Sequence, residues 1–294
     1  MKKFDYSAPA TVDEALKLLN EYRDRAAVLA GGTDLVIALH EREHDTDCIV
    51  DISKLSDLRY IEVDDGIVRV GPLSSFTDLE NSEYIRGNVR SLYEAAYTLG
   101  SPQIRNLGTI GGNLINASVA GDSITAFMAL DSTLVFKSES GRREVKLVDY
   151  YTDENKIRSD ELLTEVYFDA PGENSATTYV KLGKRNALVI VVLGLGLLLE
   201  RDEENVCTKA QVVIGAVSRF PVRVASIEEY LLGKTISWET FAPCAEMLSE
   251  VVQELIPTRA SLPYKKESVK GVSNKAFRNI LESFGIDSKE EKLV

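Results

Sequence analysis

Two glycine-rich stretches decide how this sequence folds: Val28-Leu29-Ala30-Gly31-Gly32-Thr33-Asp34-Leu35 and Leu107-Gly108-Thr109-Ile110-Gly111-Gly112-Asn113-Leu114. Each has an apolar lead-in, a Gly-Gly pair, a small polar residue and a return to apolar character. A glycine pair lets consecutive N–H groups turn toward one point without a side chain in the way. Such a nest binds an anion through backbone dipoles. Two nests on one domain suit a diphosphate, and two tight structural turns are the alternative.

Neither stretch matches the better-known nucleotide motifs. No Gly-Lys-Ser/Thr follows either one, which excludes a Walker loop, and both lack the third glycine of a dinucleotide-binding fingerprint. Gly194 and Gly196 form a Gly-x-Gly inside a continuous apolar run, which is typical of a core strand where glycine permits close packing. The two Gly-Gly stretches therefore remain the candidate anion sites.

Two further polar positions have both a structural and a functional interpretation. Asp122 opens a short predicted helix, where an Asp is most often a cap, but it lies nine residues after Asn113 and could reach a ligand held there. Lys181 and Lys184-Arg185 interrupt an apolar strand pair, and the structural interpretation of these cations is a solvated edge.

Composition narrows the functional classes. The chain has 294 residues and a formal charge of −12, which argues against a nucleic-acid-binding surface. Its three cysteines, Cys48, Cys207 and Cys244, are too far apart for a disulfide framework, a zinc site or an iron–sulfur ligand set. The two histidines, His40 and His44, lie in a polar helix end and are predicted to be solvated. A triad hydrolase or zinc enzyme is therefore disfavoured.

Two further features of the sequence bear on the expected location of the protein. The longest apolar run, from Ala187 to Leu199, is shorter than the ~18 residues that a membrane span needs. Met1-Lys2-Lys3-Phe4-Asp5 lacks the apolar core of a signal peptide, which favours a cytoplasmic location.

Hydrophobic periodicity predicts a mixture of helices and strands. Thr11 and Glu14 form a capping box that starts the first helix. The predicted strands are 26–30, 48–52, 60–63, 67–70, 133–137, 144–147, 162–168, 177–182, 188–199 and 207–217, and the predicted helices are 35–39, 89–99, 123–130, 227–232, 240–252 and 268–284.

Ala170-Pro171-Gly172 is the strongest domain boundary in the sequence. We predict a first domain over residues 1–171, with two lobes at about 1–55 and 56–171. A second, α+β domain covers residues 172–286, and residues 287–294 form a tail.

The sequence resembles the FAD-binding medium subunit of the molybdenum hydroxylase family, which includes xanthine, carbon monoxide and nicotinate dehydrogenases. The resemblance covers nearly the whole chain and rests on the order and spacing of Ala30-Gly31-Gly32-Thr33-Asp34, Gln103-Ile104-Arg105-Asn106, Thr109-Ile110-Gly111-Gly112-Asn113, Gly121-Asp122, and Lys181 with Arg185. The segment from Gly100 to Asp122 and Tyr264-Lys265-Lys266-Glu267-Ser268-Val269 are most similar to nicotinate dehydrogenase flavin subunits. Many members carry Asp-Ile-Ala where this chain has Val189-Ile190-Val191.

The resemblance implies an α+β fold: a two-lobed FAD-binding domain of the vanillyl-alcohol-oxidase type, followed by a C-terminal domain with a three-stranded antiparallel sheet and a helix bundle. It also implies non-covalent FAD, with its pyrophosphate and ribitol held by the two glycine stretches and Lys181 near the isoalloxazine ring. The implied cofactor-binding residues are Val28, Leu29, Ala30, Gly31, Gly32, Thr33, Asp34, Leu35, Gly100, Thr109, Ile110, Gly111, Gly112, Asn113, Asp122, Leu163 and Lys181.

The function implied by the resemblance is an electron relay. Partner subunits would carry the molybdopterin and two [2Fe–2S] clusters, and FAD in this chain would pass electrons to NAD(P)⁺ or another acceptor. A free-standing, non-covalent FAD-dependent oxidase or dehydrogenase of the same fold is a second possibility. A scaffold subunit, in which the glycine pairs are only turns, is a third.

Overall fold

Helices and strands alternate irregularly along the chain in the computed structural model, which describes residues 4–41, 45–118, 121–151, 154–185 and 190–287. The strands are β1 Asp5–Ser7, β2 Ala26–Leu29, β3 Cys48–Asp51, β4 Ile61–Asp64, β5 Ile67–Val70, β6 Thr133–Ser138, β7 Gly141–Lys146, β8 Leu162–Asp169, β9 Ser175–Gly183, β10 Val191–Arg201, β11 Cys207–Gly215 and β12 Val222–Arg223. The helices are α1 Val12–Tyr22, α2 Leu35–Glu41, α3 Phe76–Asn81, α4 Glu83–Asn88, α5 Arg90–Thr98, α6 Pro102–Leu107, α7 Ile110–Asn116, α8 Asp122–Ala129, α9 Leu147–Tyr150, α10 Ala225–Leu231, α11 Trp238–Phe241, α12 Cys244–Leu255 and α13 Leu262–Ser283.

The predicted elements are confirmed, apart from shifted ends and two differences in the last helices. Pro243 separates α11 from α12, so the single helix predicted over 240–252 is wrong. Helix α13 begins at Leu262 rather than at Ser268, because its first turns carry polar side chains that hide the apolar period. The short elements β1, α3, α4, α6, α7, α9 and β12 were not predicted, since none is long enough to show a period.

The chain forms two compact units that are not continuous in sequence. The first comprises Met1–Leu79, Ser101–Asn116 and Ser132–Ala170, and the second comprises Glu80–Gly100, Ala117–Asp131 and Pro171–Val294. This division does not test the domain limits predicted at 55, 171 and 286, which stay predictions.

The first unit contains a parallel sheet in the order β1-β3-β2 and an antiparallel sheet in the order β4-β5-β8-β6-β7. Helix α1 buries Leu16 and Leu19 in a cluster with Val50 and other apolar residues. Its capping box is confirmed: Thr11 Oγ1 accepts the Glu14 amide at 3.2 Å, and Glu14 Oε2 accepts the Ala10 amide at 2.8 Å. Apolar residues on one face of α1 thus fix the helix on the parallel sheet.

A buried ion pair ties strand β7 to the loop before β8. Arg143 donates to both carboxylate oxygens of Glu161, at 2.9 and 2.7 Å, and to the carbonyl oxygens of Asn155 and Lys156. The Glu161 side chain is only 4% exposed. Its burial pushes the pKa of Glu161 upward, but the bonds from Arg143 and the Arg158 amide outweigh this and hold the pKa below its ordinary value.

We expect Glu161→Gln to lower the free energy of unfolding at pH 7 by about 2 kcal/mol, the typical value for a buried hydrogen bond to a charged group. Because the pKa of Glu161 is lower in the folded state, its stabilisation is complete above the unfolded-state pKa and is lost as the pH falls through the folded-state pKa. Urea unfolding at pH 7 and at about pH 3.5 measures this, and the difference from wild type shrinks at the lower pH.

The control is Glu144→Gln, which removes a pair with Arg142 whose side chains are 51% and 39% exposed, and which we expect to change little. Equal losses in the two variants, or a loss for Glu161→Gln that does not change with pH, would contradict the assignment.

The second unit is built on an antiparallel sheet in the order β12-β11-β10-β9. The expectation of three strands is therefore wrong by one: β12 has two residues and follows Pro221, so it leaves no strand pattern in the sequence. Helix α8 packs on β10 and β11, where a Cβ on Gly196 would lie 2.9 Å from the Thr125 carbonyl oxygen. The interpretation of Gly194 and Gly196 as close-packing positions in a core strand is confirmed.

The three cysteines are free thiols and buried. Burial raises the pKa of Cys207 to about 11 and that of Cys244 to about 12. No helix within the described parts of the chain is long and apolar enough to cross a membrane. The same residues contain no group of three or more His, Cys, Asp or Glu side chains that could hold a metal ion.

Candidate functional site

The first glycine stretch forms an accessible loop with unused backbone donors. Gly32 adopts a left-handed conformation with φ +72°, which turns the chain between β2 and α2. Among the described residues, the amides of residues 31–35 have no hydrogen-bond acceptor; the next amide, that of Val36, bonds the Gly32 carbonyl. These five residues are partly or fully exposed. A ligand with several acceptor oxygens can therefore reach a row of backbone donors here.

The two glycine stretches lie against each other in the first unit. An atom in the Cβ position of Gly31 would be 1.8 Å from the carbonyl oxygen of Leu107 and 3.3 Å from the Cα of Gly108. Only a residue without a side chain permits this approach. Position 31 therefore needs glycine because of this close contact, and not because its φ is left-handed. The two stretches, which the resemblance implies hold one cofactor, are therefore neighbours.

The second stretch does not form a nest. Residues 110–116 form helix α7, and neither Gly111 nor Gly112 has a left-handed φ. The Ile110 amide bonds the Ser74 carbonyl at 2.9 Å, and the Gly111 amide bonds the Pro72 carbonyl at 2.8 Å. Thr109 provides acceptors for the next two amides, its Oγ1 for Gly112 and its carbonyl for Asn113.

The prediction of a second anion nest is therefore wrong in its geometry. The four amides at the start of α7 already have acceptors within the chain, so they do not form a second row of unused donors. Gly111 has another reason to be glycine: its Cβ would lie 2.6 Å from Pro72 Cβ. Gly112 is exposed and Asn113 partly exposed, so this surface can still be touched by a ligand bound at the first loop.

Three polar side chains form a buried cluster in the second unit. Tyr179 donates its hydroxyl hydrogen to Asp122 Oδ1 at 2.6 Å, and Lys181 Nζ donates to Asp122 Oδ2 at 2.7 Å. The lysine also donates to the Thr98 carbonyl at 3.1 Å. The side chains of Lys181 and Asp122 are 6% and 4% exposed. We call Tyr179, Asp122 and Lys181 the buried triad.

Two simple interpretations of these residues are corrected by the triad. Asp122 is not a helix cap: the N-cap position of α8 belongs to Gly121, and the Asp122 carboxylate turns to Tyr179 and Lys181 instead. Lys181 is not at a solvated edge, whereas Lys184 and Arg185 are exposed. Burial raises the pKa of Asp122 against the opposing effects of Lys181 and Tyr179.

The other residues singled out from the sequence lie in different structural environments. Gly100 has a left-handed φ of +48° just after α5. Leu163 is 3% exposed in the central strand β8 and pairs with Phe136. His40 is exposed, whereas His44 and Val189 lie outside the described residues.

Sequence reasoning missed Tyr179 and the backbone carbonyl of Thr98. A signal for Tyr179 existed, because residues two apart on a strand share a face and Tyr179 precedes Lys181 by two. The Thr98 carbonyl had no such signal, since any residue type supplies one.

Comparisons with known proteins agree over almost the full length. Residues 2–170 match a family described as the FAD binding domain in molybdopterin dehydrogenase, and residues 178–280 match the CO dehydrogenase flavoprotein C-terminal domain. The chain is 44% identical over 288 residues to the nicotinate dehydrogenase FAD-subunit of Eubacterium barkeri, covering 96% of this chain and 97% of that protein. It is 31% identical over 286 residues to the glyceraldehyde dehydrogenase medium chain of Sulfolobus acidocaldarius, covering 95% and 98%.

Solved structures share the fold. Carbon monoxide dehydrogenase from Hydrogenophaga pseudoflava superposes with a TM-score of 0.87 at 23% identity, over 96% of this chain and 98% of that one. Quinoline 2-oxidoreductase from Pseudomonas putida 86 gives a TM-score of 0.85 at 24% identity, over 97% and 99%. The predicted α+β fold, with an FAD-binding domain followed by a C-terminal domain, is confirmed.

Proposed function

Because the chain belongs to the family of FAD-binding subunits of molybdopterin dehydrogenases, we propose that it serves as an electron relay. It would take electrons from the [2Fe–2S] clusters of a small partner subunit and pass them to NAD(P)⁺ or another acceptor. A large partner subunit would carry the molybdopterin and the hydroxylated substrate. The names of its relatives, which include an FAD-subunit and a medium chain, support an assembly of this kind.

The observation that supports flavin binding most strongly is the row of unused amides at residues 31–35. A diphosphate carries two negative charges, and residues 28–35 contain no lysine or arginine to balance them. Oriented backbone N–H groups provide positive partial charge without a cationic side chain. We therefore propose that residues 28–35 bind the FAD pyrophosphate. We also propose that Thr109 to Asn113, of which Gly112 and Asn113 are accessible, line the same ligand.

In the second unit, Lys181 is the residue best suited to act on the cofactor. An ammonium in a buried position exerts a stronger field than one in water. FAD, when bound, supplies the ability to accept electrons singly and to release them as a pair. The contribution of Lys181 would be a fixed positive charge that favours the reduced cofactor. Gly100, Asp122 and Leu163 stay predicted cofactor-binding positions, with Asp122 held inside the triad and Leu163 contributing by packing.

Purified full-length protein tests the proposal. We expect the visible absorption bands of a flavin, released into the supernatant by acid precipitation and identified as FAD by mass. We also expect co-purification with a small protein rich in cysteine and a large molybdopterin protein, and oxidation of the reduced complex by NAD(P)⁺ or an artificial acceptor. A chain that stays colourless after FAD is added would contradict flavin binding. A yellow chain that reduces an acceptor with its own substrate and without partners would favour the free-standing oxidase or dehydrogenase.

The predicted cytoplasmic location is kept as part of the proposal. Nicotinate is the first substrate to test with the assembled complex, because the 44% identity to a nicotinate dehydrogenase subunit makes that enzyme the natural reference.

A further inference from the structure

The Lys181 ammonium has one hydrogen-bond donor to spare. An ammonium group carries three N–H bonds, and two are used by Asp122 Oδ2 and the Thr98 carbonyl. The third has no acceptor among the described residues, although the side chain is only 6% exposed. A buried donor without an acceptor is costly, so the triad holds a group that a ligand would complete.

The direction of that spare N–H depends on Asp122, because the carboxylate makes the charged bond to the ammonium. Asp122 makes no cap bond to its own helix. Its other oxygen, Oδ1, accepts the Tyr179 hydroxyl at 2.6 Å, a short bond between buried groups. Tyr179 therefore fixes the rotation of the carboxylate, and the carboxylate fixes the ammonium.

Tyr179 is itself anchored. Glu94 Oε2 on α5 accepts the Tyr179 amide and the Thr178 hydroxyl, both at 2.8 Å, and Arg90 donates to Glu94 Oε1 at 2.8 Å. The tyrosine side chain lies close to a glycine on β10: a Cβ on Gly194 would lie 2.7 Å from the Tyr179 hydroxyl oxygen. Backbone and ring are both held, so the hydroxyl has a defined position.

We infer that Tyr179 is a positioning residue for the flavin chemistry, acting on the cofactor only through Asp122 and Lys181. This inference rests on the proposed function, since it requires that Lys181 faces the flavin. The Tyr179 hydroxyl then influences the reduction potential of the flavin and the affinity of the protein for FAD without touching the cofactor.

The test compares Tyr179→Phe with Tyr150→Phe in the full-length chain. Both substitutions remove the hydroxyl of a buried tyrosine, but Tyr150 lies in the first unit, at 2% exposure, and bonds the backbone at Ile157. We expect Tyr179→Phe to raise the dissociation constant for FAD about tenfold, the effect of losing one hydrogen bond to a charged group. We also expect it to shift the midpoint potential of the bound flavin to a more negative value. Tyr150→Phe should leave both quantities unchanged.

A double variant distinguishes action through Lys181 from a general loosening. Lys181→Met should shift the potential in the same direction as Tyr179→Phe and by more, and adding Tyr179→Phe to it should produce no further shift. A further shift in the double variant, or equal shifts in Tyr179→Phe and Tyr150→Phe, would overturn the inference while leaving FAD binding intact. A wild-type chain that does not bind FAD would instead overturn the proposed function.

Circular dichroism of the apoproteins checks that each variant folds. If Tyr179→Phe does not fold, Glu94→Gln provides a second test, because it weakens the bonds of Glu94 that hold the Tyr179 backbone. We expect it to shift the potential in the same direction. An unchanged potential in a folded Glu94→Gln protein then counts against the inference.

Discussion

Replacing Gly31 by alanine is expected to abolish FAD binding and to destabilise the first unit by about 3 kcal/mol or more, at the upper end of overpacking effects. The added Cβ would lie 1.8 Å from the Leu107 carbonyl oxygen, which belongs to the backbone and cannot swing aside. The two glycine stretches must then separate, which displaces the amides of residues 31–35. Because donors must stay within about 0.5 Å of their productive positions, we expect the protein to purify without flavin colour.

Gly172→Ala is the matched control, since nothing lies within 4 Å of its Cβ position and its φ is not left-handed. Absorbance at the flavin bands and urea unfolding should distinguish the two variants. A Gly31→Ala protein that retains FAD and wild-type stability would show that the contact with Leu107 is not essential.

Replacing Asp122 by alanine is expected to cost about 3–5 kcal/mol of unfolding free energy, the usual consequence of leaving a buried charge without its partner. Lys181 would keep only the Thr98 carbonyl, and the Tyr179 hydroxyl would lose its acceptor. Urea unfolding of the apoprotein measures this without a contribution from bound FAD.

The double variant Asp122→Ala with Lys181→Met provides the control, because a buried ion pair replaced by apolar groups is often neutral in stability. We expect it to recover a large part of the loss. If the double variant is as unstable as Asp122→Ala, the loss comes from the cavity and the unpaired Tyr179 hydroxyl rather than from the unpaired ammonium.

The family resemblance implied that the two glycine stretches hold one cofactor, but the local sequence did not predict the structure of the second stretch. Glycine lowers helix propensity, so Gly111-Gly112 favoured a turn. In the structure, contacts with Pro72 and Ser74 outweigh that weak local preference and hold the segment as a helix. Gly111 is glycine because Pro72 approaches it, and such long-range contacts are not visible in a local pattern.

The buried triad also depends on long-range contacts that a local sequence pattern does not show. A lysine in an apolar strand is usually solvated, and nothing near Lys181 in sequence reveals that a carboxylate 59 residues earlier pairs with it. The family resemblance singled out both positions as cofactor-binding residues, which stays a prediction. Their pairing, and the part that Tyr179 plays in it, follows only from the arrangement of α8 beside β9 and β10.

The discontinuous second unit has a consequence for synthesis on the ribosome. All eight residues of α8 are buried, but the strands β10 and β11 on which the helix packs end only at Arg201 and Gly215. At translation rates of about 5–20 residues per second, α8 emerges several seconds before its partners. Helix α5, which also packs on α8, is already made, but the surface of α8 that packs on β10 and β11 and the Asp122 carboxylate still lack their partners. The nascent chain between α8 and β11 is therefore where we expect chaperones to act.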